Sequence, residues 1–514
     1  MSHTPPEPRV SGSTFASAVQ DGAAVAPVAG DDPATGETGQ RLERNAIGLP
    51  AVLFQGISTI APAFGLAIGL AFTVSLAGQT APLVFLMALV FVVVIAINVG
   101  QLAKAFPSAG GFYTYVSRTV HPRVGFLCGW VFILWLPPSV AIAVSYIAFA
   151  FIEPELKGHY GWNVPWWLIT LVVAALVSAA AYFGIRASGR VLVIAGSIEI
   201  LVMIALGVSG FVDPGPGGFN FGPFNPANSP SLQGLYLGTV FTIFAYSGWE
   251  TTTPLAEESR RPRRDVPIAL VLSVLLVGLM YLVTSWGALI GLGTDKAGGI
   301  ASLTRNPFFV LADKLWGPAW VILLLALINS GFATALGGFN GAIRMWFAMG
   351  RSGSLPRQLA VVHPKYKTPI NAIWLQIAVI AVTFSCSAIW RPDKVLFVWA
   401  LSFTLGLILV YVATAVGVVR HYRLGPGRAE FNYILHLVFP IVGSAAALWV
   451  GYKSLVPLPA PPSNWAPVVG GVWLLIGVGI LVALRARGSE RWLHDAGRAF
   501  DESGSAEPGA VGGR

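Results

Sequence analysis

Gly56-Ile57-Ser58-Thr59-Ile60-Ala61-Pro62 and Gly248-Trp249-Glu250-Thr251-Thr252-Thr253-Pro254 interrupt two long apolar stretches in the same manner, with a proline six residues after a glycine. Proline has no N–H, and its ring clashes with the carbonyl four residues back. Pro62 therefore frees the carbonyl of Ser58, and Pro254 that of Glu250. In hydrocarbon, open backbone groups persist only where they are buried in protein or line a cavity. Two matched breaks, one early and one midway, are the pattern of discontinuous helices that build a central site in secondary transporters.

The composition supplies the membrane. Of 514 residues, 55% are hydrophobic and 11% charged, with a mean hydropathy of +0.70. A soluble domain carries about a quarter charged residues. Twelve apolar stretches have the length of a bilayer crossing: 47–75, 80–103, 124–151, 165–184, 190–212, 232–256, 266–292, 317–346, 370–390, 394–419, 433–456 and 465–486. The expected fold is an all-α polytopic membrane protein of about twelve transmembrane helices.

The net charge of +9 could point to nucleic acid, but its placement excludes that partner. With both termini cytoplasmic, the outward loops hold Lys157, Lys296, Arg305, Lys314, Arg391, Lys394 and Lys453, several beside acids, and the other 25 of the 32 basic residues face inward. The loops following even-numbered helices and the polar tails carry them, which is the positive-inside distribution. The cluster Glu257, Glu258, Arg260, Arg261, Arg263, Arg264 and Asp265 reads as one such inward loop. Location in the plasma or inner membrane follows, with the lipid bilayer as a partner. Residues 1–44 and 488–514 are polar and small-residue-rich and read as disordered cytoplasmic tails. Cys128 and Cys386 both lie inside apolar stretches and read as small buried hydrophobes.

Five stretches run from each break to the end of its unit. Because five is odd, a second unit repeating the first must insert upside down. The transport core is thus placed at 45–430 and two further helices at 431–487. Pro137-Pro138 should kink the third stretch.

Three motifs sharpen this reading. Phe244-Ala245-Tyr246-Ser247-Gly248-Trp249-Glu250, with Ala256-Glu257-Glu258-Ser259 and Arg263-Arg264-Asp265-Val266-Pro267, resembles helix 6 and the following loop of the amino acid–polyamine–organocation permeases. Phe106-Pro107-Ser108-Ala109-Gly110-Gly111 resembles that family's element after helix 2. Asn340 to Arg351, then Leu355-Pro356 and His363-Pro364-Lys365 to Thr368-Pro369, is similar to its helix 8 ending. The resemblance covers about residues 45–430. It implies the leucine-transporter-type five-plus-five inverted repeat and transport of amino acids or amines, with polyamine or organic-amine transport, or a transport-inactive sensor or scaffold, as alternatives.

The local chemistry agrees. The half-helix ending near Ser58, Thr59, Ile60, Ala61, Pro62 and Ala63 offers N–H groups at a positive dipole end, suited to a substrate carboxylate. The break at Tyr246, Ser247, Gly248, Trp249 and Glu250 offers carbonyls, suited to an ammonium. Phe244 falls where the family often has an aromatic residue covering the substrate, and Trp249 is a candidate pocket wall. Glu250 and Glu199, carboxylates at membrane depth, are coupling or gating candidates. Some proton-coupled relatives carry a lysine on helix 5, and this chain has Glu199 there instead. Ser330 and Thr334 lie one turn apart on helix 8 rather than adjacent, which disfavours sodium. Protons or substrate exchange are therefore expected. No cofactor or metal is expected, and no catalytic residue: His3, His121, His159, His363, His421, His436 and His494 lie in tails, loops or helix ends, and neither HExxH nor GxSxG occurs.

Overall fold

The computed structural model describes residues 47–108, 110–183, 189–294, 305–352, 355–366 and 368–486. The two tails, Ala109, Arg186, Lys296 and Lys367 lie outside the described residues. Among those described, the chain is helical, with only isolated β-bridges.

The first apolar stretch is two helices. α1 (Leu49–Ile60) carries a proline in its first turn, where an N–H has no intrahelical acceptor. It ends at Ala61, a non-glycine residue in the left-handed region at φ 57°. Such a conformation costs about 1–2 kcal/mol and needs support from its surroundings. Pro62 then starts α2 (Pro62–Ala77). α3 (Ala81–Ala105) is continuous, and the short α4 (Gly111–Thr119) follows the Pro107 turn.

α5 (Pro122–Ile147) runs unbroken through Pro137 and Pro138, then through a wider turn into α6 (Glu153–Tyr160). Its proline pair is accommodated by side chains from other helices. The Leu134 carbonyl, which Pro138 deprives of a partner, accepts from Trp399 Nε1 at 2.5 Å, and the Pro137 carbonyl accepts from Gln376 Nε2 at 2.7 Å. α7 (Trp166–Tyr182), α8 (Gly189–Val212) and α9 (Leu232–Tyr246) follow.

Beyond α9 the chain breaks at Ser247 and Gly248 and tightens into a narrow helix over Trp249–Glu257. α10 (Pro262–Leu292), α11 (Pro307–Trp316), α12 (Trp320–Ser352), α13 (Ile370–Trp390), α14 (Pro392–Val419), α15 (Phe439–Leu455) and α16 (Ala466–Ala486) follow. Nine helical stretches among the described residues are long and apolar enough to cross a membrane. The number is below twelve for local reasons: α1 to α3 run as one stretch, α7 has 17 residues, and the break cuts α9 to 15.

α10 lies along α3 and α8, while α5 packs on α12, α13 and α14. These helices enclose α1, α2 and α9, whose side chains join one buried apolar cluster. Outward faces carry exposed residues such as Leu171, Leu201, Leu325, Val382 and Leu475, the surface that lipid solvates. This is an all-α, multi-pass membrane protein.

Two polar ties hold the ends of the bundle. Ile47 N–H donates to the Glu258 carbonyl (3.1 Å) and Arg260 N–H to the Ile47 carbonyl (2.9 Å), which joins the start of α1 to the loop after the second break. At the opposite end Arg305 donates to Glu155, which is fully buried, and pairs with Asp313 at 2.7 Å. Arg305 and Arg391, which bonds Asp393, are thus basic residues beside acids. Cys128 is buried and Cys386 half-buried, and neither forms a disulfide.

Candidate functional site

The two breaks meet. Gly248 adopts φ 124°, and a Cβ built on it would stand 2.5 Å from the Thr59 carbonyl oxygen and 2.7 Å from the Ile60 nitrogen. Only glycine brings the second break this close to the first. Lower on the same seam, a Cβ on Gly56 would lie 2.7 Å from Thr252 Cγ2. Both glycines of the opening motifs are therefore contact points between the discontinuous helices.

The carbonyls freed by the two prolines are recaptured locally. Ala61 N–H donates to the Ser58 carbonyl (3.3 Å), and Thr253 Oγ1 donates to that of Glu250 (2.9 Å). At the second break, the Phe244, Ala245 and Gly248 carbonyls accept from Ser247 N–H (2.9 Å), Tyr281 O–H (2.9 Å) and Thr251 N–H (3.1 Å) respectively.

At the first break the helix-end N–H groups are also taken, by side chains from far along the chain. Ala63 N–H donates to Glu199 Oε1 at 2.6 Å. Phe64 N–H donates to Ser330 Oγ at 3.1 Å, and that hydroxyl donates in turn to the same Glu199 oxygen at 2.5 Å. Gly65 N–H closes onto the Ala61 carbonyl at 2.7 Å, and Asn329 Nδ2 reaches Glu199 Oε2 at 3.4 Å. Every neighbour of Glu199 in this network has a hydrogen to offer it. It lies at the positive end of α2, where a helix favours an anion. The helix end expected to meet a substrate carboxylate thus holds a carboxylate of the chain itself in this structure.

Glu250 does the corresponding work locally. Its Oε2 accepts from Gly248 N–H, two residues back, at 2.6 Å, and its Oε1 accepts from Tyr411 O–H of α14 at 2.5 Å. Trp249, fully buried, stacks on the Tyr411 ring at 6.1 Å.

The other expected residues divide. Phe244 is half-buried and meets the Trp135 ring edge-on at 4.6 Å, so it stands in an aromatic group with α5 and Phe403 of α14. Ser58 is half-buried on α1, where it faces Gly196 of α8. Ile60, Ala61, Pro62 and Ala63 are buried at the break itself. Thr59 and Thr334 turn their hydroxyls onto their own helices, to Gln55 and Ser330 carbonyls at 2.8 and 2.9 Å. Ser247 also bonds back, to the Ile243 carbonyl at 3.4 Å. Tyr246 is fully buried, and its hydroxyl holds the Phe85 carbonyl of α3 at 3.2 Å. Sequence reading missed Tyr411, Asn329 and Trp135. Asn329, an amide within an apolar helix beside Ser330, was the one with a visible signal.

The family comparison now decides the class: residues 51–482 match the description of the amino acid permease family. The chain belongs to that family. It is 23% identical over 457 residues to the low-affinity putrescine importer PlaP of Escherichia coli K12, covering 85% of this permease and 92% of that protein. It is 25% identical over 456 residues to the branched-chain amino acid permease BcaP of Bacillus subtilis, covering 84% and 89%. The methylthioribose transporter of B. subtilis is also 25% identical, over 429 residues covering 78% and 85%. This permease is therefore a membrane transporter of small molecules and not an enzyme.

Proposed function

We propose that this permease moves amino acids or organic amines across the cell membrane by alternating access, with proton symport or substrate exchange as the driving mode. The carrying observation is the meeting of the two broken helices at Gly248, Thr59 and Ile60, with a buried carboxylate on each break. Discontinuous helices facing one another at membrane depth are the arrangement that binds a polar solute away from water. The site comprises Ser58 to Ala63, Phe244 and Tyr246 to Trp249, with Glu199, Glu250, Ser330 and Thr334 around it. In this reading residues 45–430 are the transport core, two inverted units of five helices, the two further helices of residues 431–487 pack outside them, and both termini are cytoplasmic.

The backbone tie between Ile47 and the Glu258–Arg260 loop supports a closed inner end, since opening there must break both hydrogen bonds. The test is uptake by the purified full-length protein in proteoliposomes, across a panel of amino acids and amines, with inside-acid and inside-basic pH gradients and with sodium present or absent. Accumulation or counterflow of a panel member is expected, independent of sodium. Sodium-dependent uptake would remove the coupling assignment, and no movement of any member would remove the reading itself.

A further inference from the structure

We propose that this permease binds a divalent transition-metal ion of the zinc type between α6 and α11, through His159, Asp313 and Glu155, and that the bound ion slows transport by holding those helices together. The binding stands apart from the transporter reading above; only the slowing rests on it.

Glu155 and His159 lie four residues apart on α6 and so share one face of it. His159 Nδ1 is 3.2 Å from the main-chain carbonyl of Glu155, which can only accept, so Nδ1 carries a hydrogen and donates it. His159 Nε2 is 3.2 Å from Asp313 Oδ1 of α11. In the neutral ring Nε2 is then an acceptor, and it faces a carboxylate oxygen that is an acceptor too. Two acceptors this close need a cation between them, a proton or a metal ion. A metal-ligating imidazole is held in the same way, its far N–H given to a main-chain carbonyl so that the near nitrogen points at the ion. No local spacing announces the pair, because His159 and Asp313 are 154 positions apart.

The distances suit zinc. Bonds of about 2.0–2.2 Å at tetrahedral angles place neighbouring ligand atoms about 3.4 Å apart. The separation of Nε2 and Oδ1 is 3.2 Å, and one ligand atom from each of Glu155, His159 and Asp313 lies within 4.8 Å of the others, which makes Glu155 the third ligand. The His159 ring is fixed by stacking on Trp320 at 3.9 Å. Arg305 donates to both Glu155 oxygens and pairs with Asp313 Oδ2, so it orients the carboxylates and leaves Oδ1 turned to the imidazole. Its positive charge opposes that of the ion, which makes the site reversible rather than structural. Side chains of His159 and Asp313 are 25% and 27% exposed, which gives an ion a path from water. A nitrogen ligand selects zinc-type ions over magnesium and calcium.

The site is joined to the first break. Asn306, which caps α11, donates its Nδ2 hydrogen to the Ala67 carbonyl of α2 at 2.9 Å. Phe309 of α11 meets Phe151, and Phe151 meets Phe64 of α2, each at 6.1 Å between ring centres. An ion that ties α11 to α6, the extension of α5, therefore restrains α2 against α5 at the end opposite the Ile47 tie. That is the outer end in the proposed topology.

Zinc is titrated by calorimetry into the purified, untagged full-length permease with calcium and magnesium present, and proteoliposome counterflow of a transported compound is followed with and without zinc. One zinc site is expected, weakened roughly ten-fold or more by His159→Ala. Asp313→Asn should weaken it likewise and serves if the alanine variant fails to fold. Saturating zinc should slow counterflow roughly five-fold in the unaltered protein and leave both variants unaffected. Zinc binding that is absent, or unchanged in both variants, would overturn the site and leave a proton between Nε2 and Oδ1. Binding lost in the variants but without effect on counterflow would overturn the slowing. If no compound moves at all, the transporter reading fails while the calorimetry still decides the metal site.

Discussion

The two breaks solve one problem with the same chemical group drawn from opposite distances. Each leaves backbone N–H groups open at membrane depth, and each answers with a buried carboxylate. At the second break the carboxylate is local: Glu250 reaches back to Gly248 and is held by Tyr411. At the first it is imported: Glu199 comes from α8 and is held against α2 by Ser330 of α12. A local carboxylate travels with its own helix segment, whereas an imported one joins three helices that must move together or part. The first break is therefore the one whose integrity reports on the arrangement of the whole bundle.

The strongest test of the comparison is the point where the breaks touch. Gly248→Val adds a branched side chain where even a Cβ meets the Thr59 carbonyl at 2.5 Å, in a backbone conformation disfavoured for β-branched residues. The combined clash and backbone strain should cost about 3 kcal/mol or more and abolish transport, while the apolar helices still insert. Membrane-fraction blots and uptake on the same preparation separate the two. Near-normal uptake would show that the breaks do not need contact, and the shared site would go with it.

A smaller effect distinguishes imported from local. Ser330→Ala removes a donor from Glu199 and also the acceptor of the Phe64 N–H, so two buried groups lose partners at once. Tyr411→Phe removes one donor from Glu250, which keeps the Gly248 N–H. Unsatisfied buried groups cost about 1–3 kcal/mol each, so the serine variant should lose about 3 kcal/mol and the tyrosine variant about half that. Thermal unfolding of both in one detergent gives the ranking. If the tyrosine variant melts lower, the second break is the more demanding of the two.

These same residues mark how far the chain could be read without coordinates. Long apolar runs and the positive-inside bias disclosed a multi-pass helical protein because both are properties of consecutive residues. Glu250 was visible for the same reason, lying inside the break it serves. Glu199 drew notice only as a carboxylate in an apolar helix. That it fills the end of α2 depends on contacts spanning 136 and 131 positions, which no local pattern encodes. Hence the Ala63 N–H, one of the donors expected for a substrate, is held by Glu199 in this structure, and the neighbouring Phe64 N–H by Ser330. Tyr246, expected at the site from its place in the break, also ties its hydroxyl to α3, a contact 161 positions away that no local pattern encodes. The proline pair of α5 is likewise explained by Trp399 and Gln376 from other helices.

The least effect belongs to a carboxylate outside the bundle, which serves as the control for burial. Glu430 is paired with Lys104 at 2.7 Å, with both side chains at least half exposed. The Lys104 hydrogen bond holds its carboxyl below the ordinary value. A lowered value means that the pair contributes above the unfolded carboxylate range and ceases to as pH falls through the folded one. Water and salt screen an exposed pair, so Glu430→Gln should leave the melting temperature unchanged within error at pH 7 and at pH 4, at low and high salt. A clear loss at pH 7 would mean that charge alone, without burial, stabilises this protein. The contrast drawn between the capping carboxylates and the rest would then have to rest on position in the helices rather than on exclusion of water.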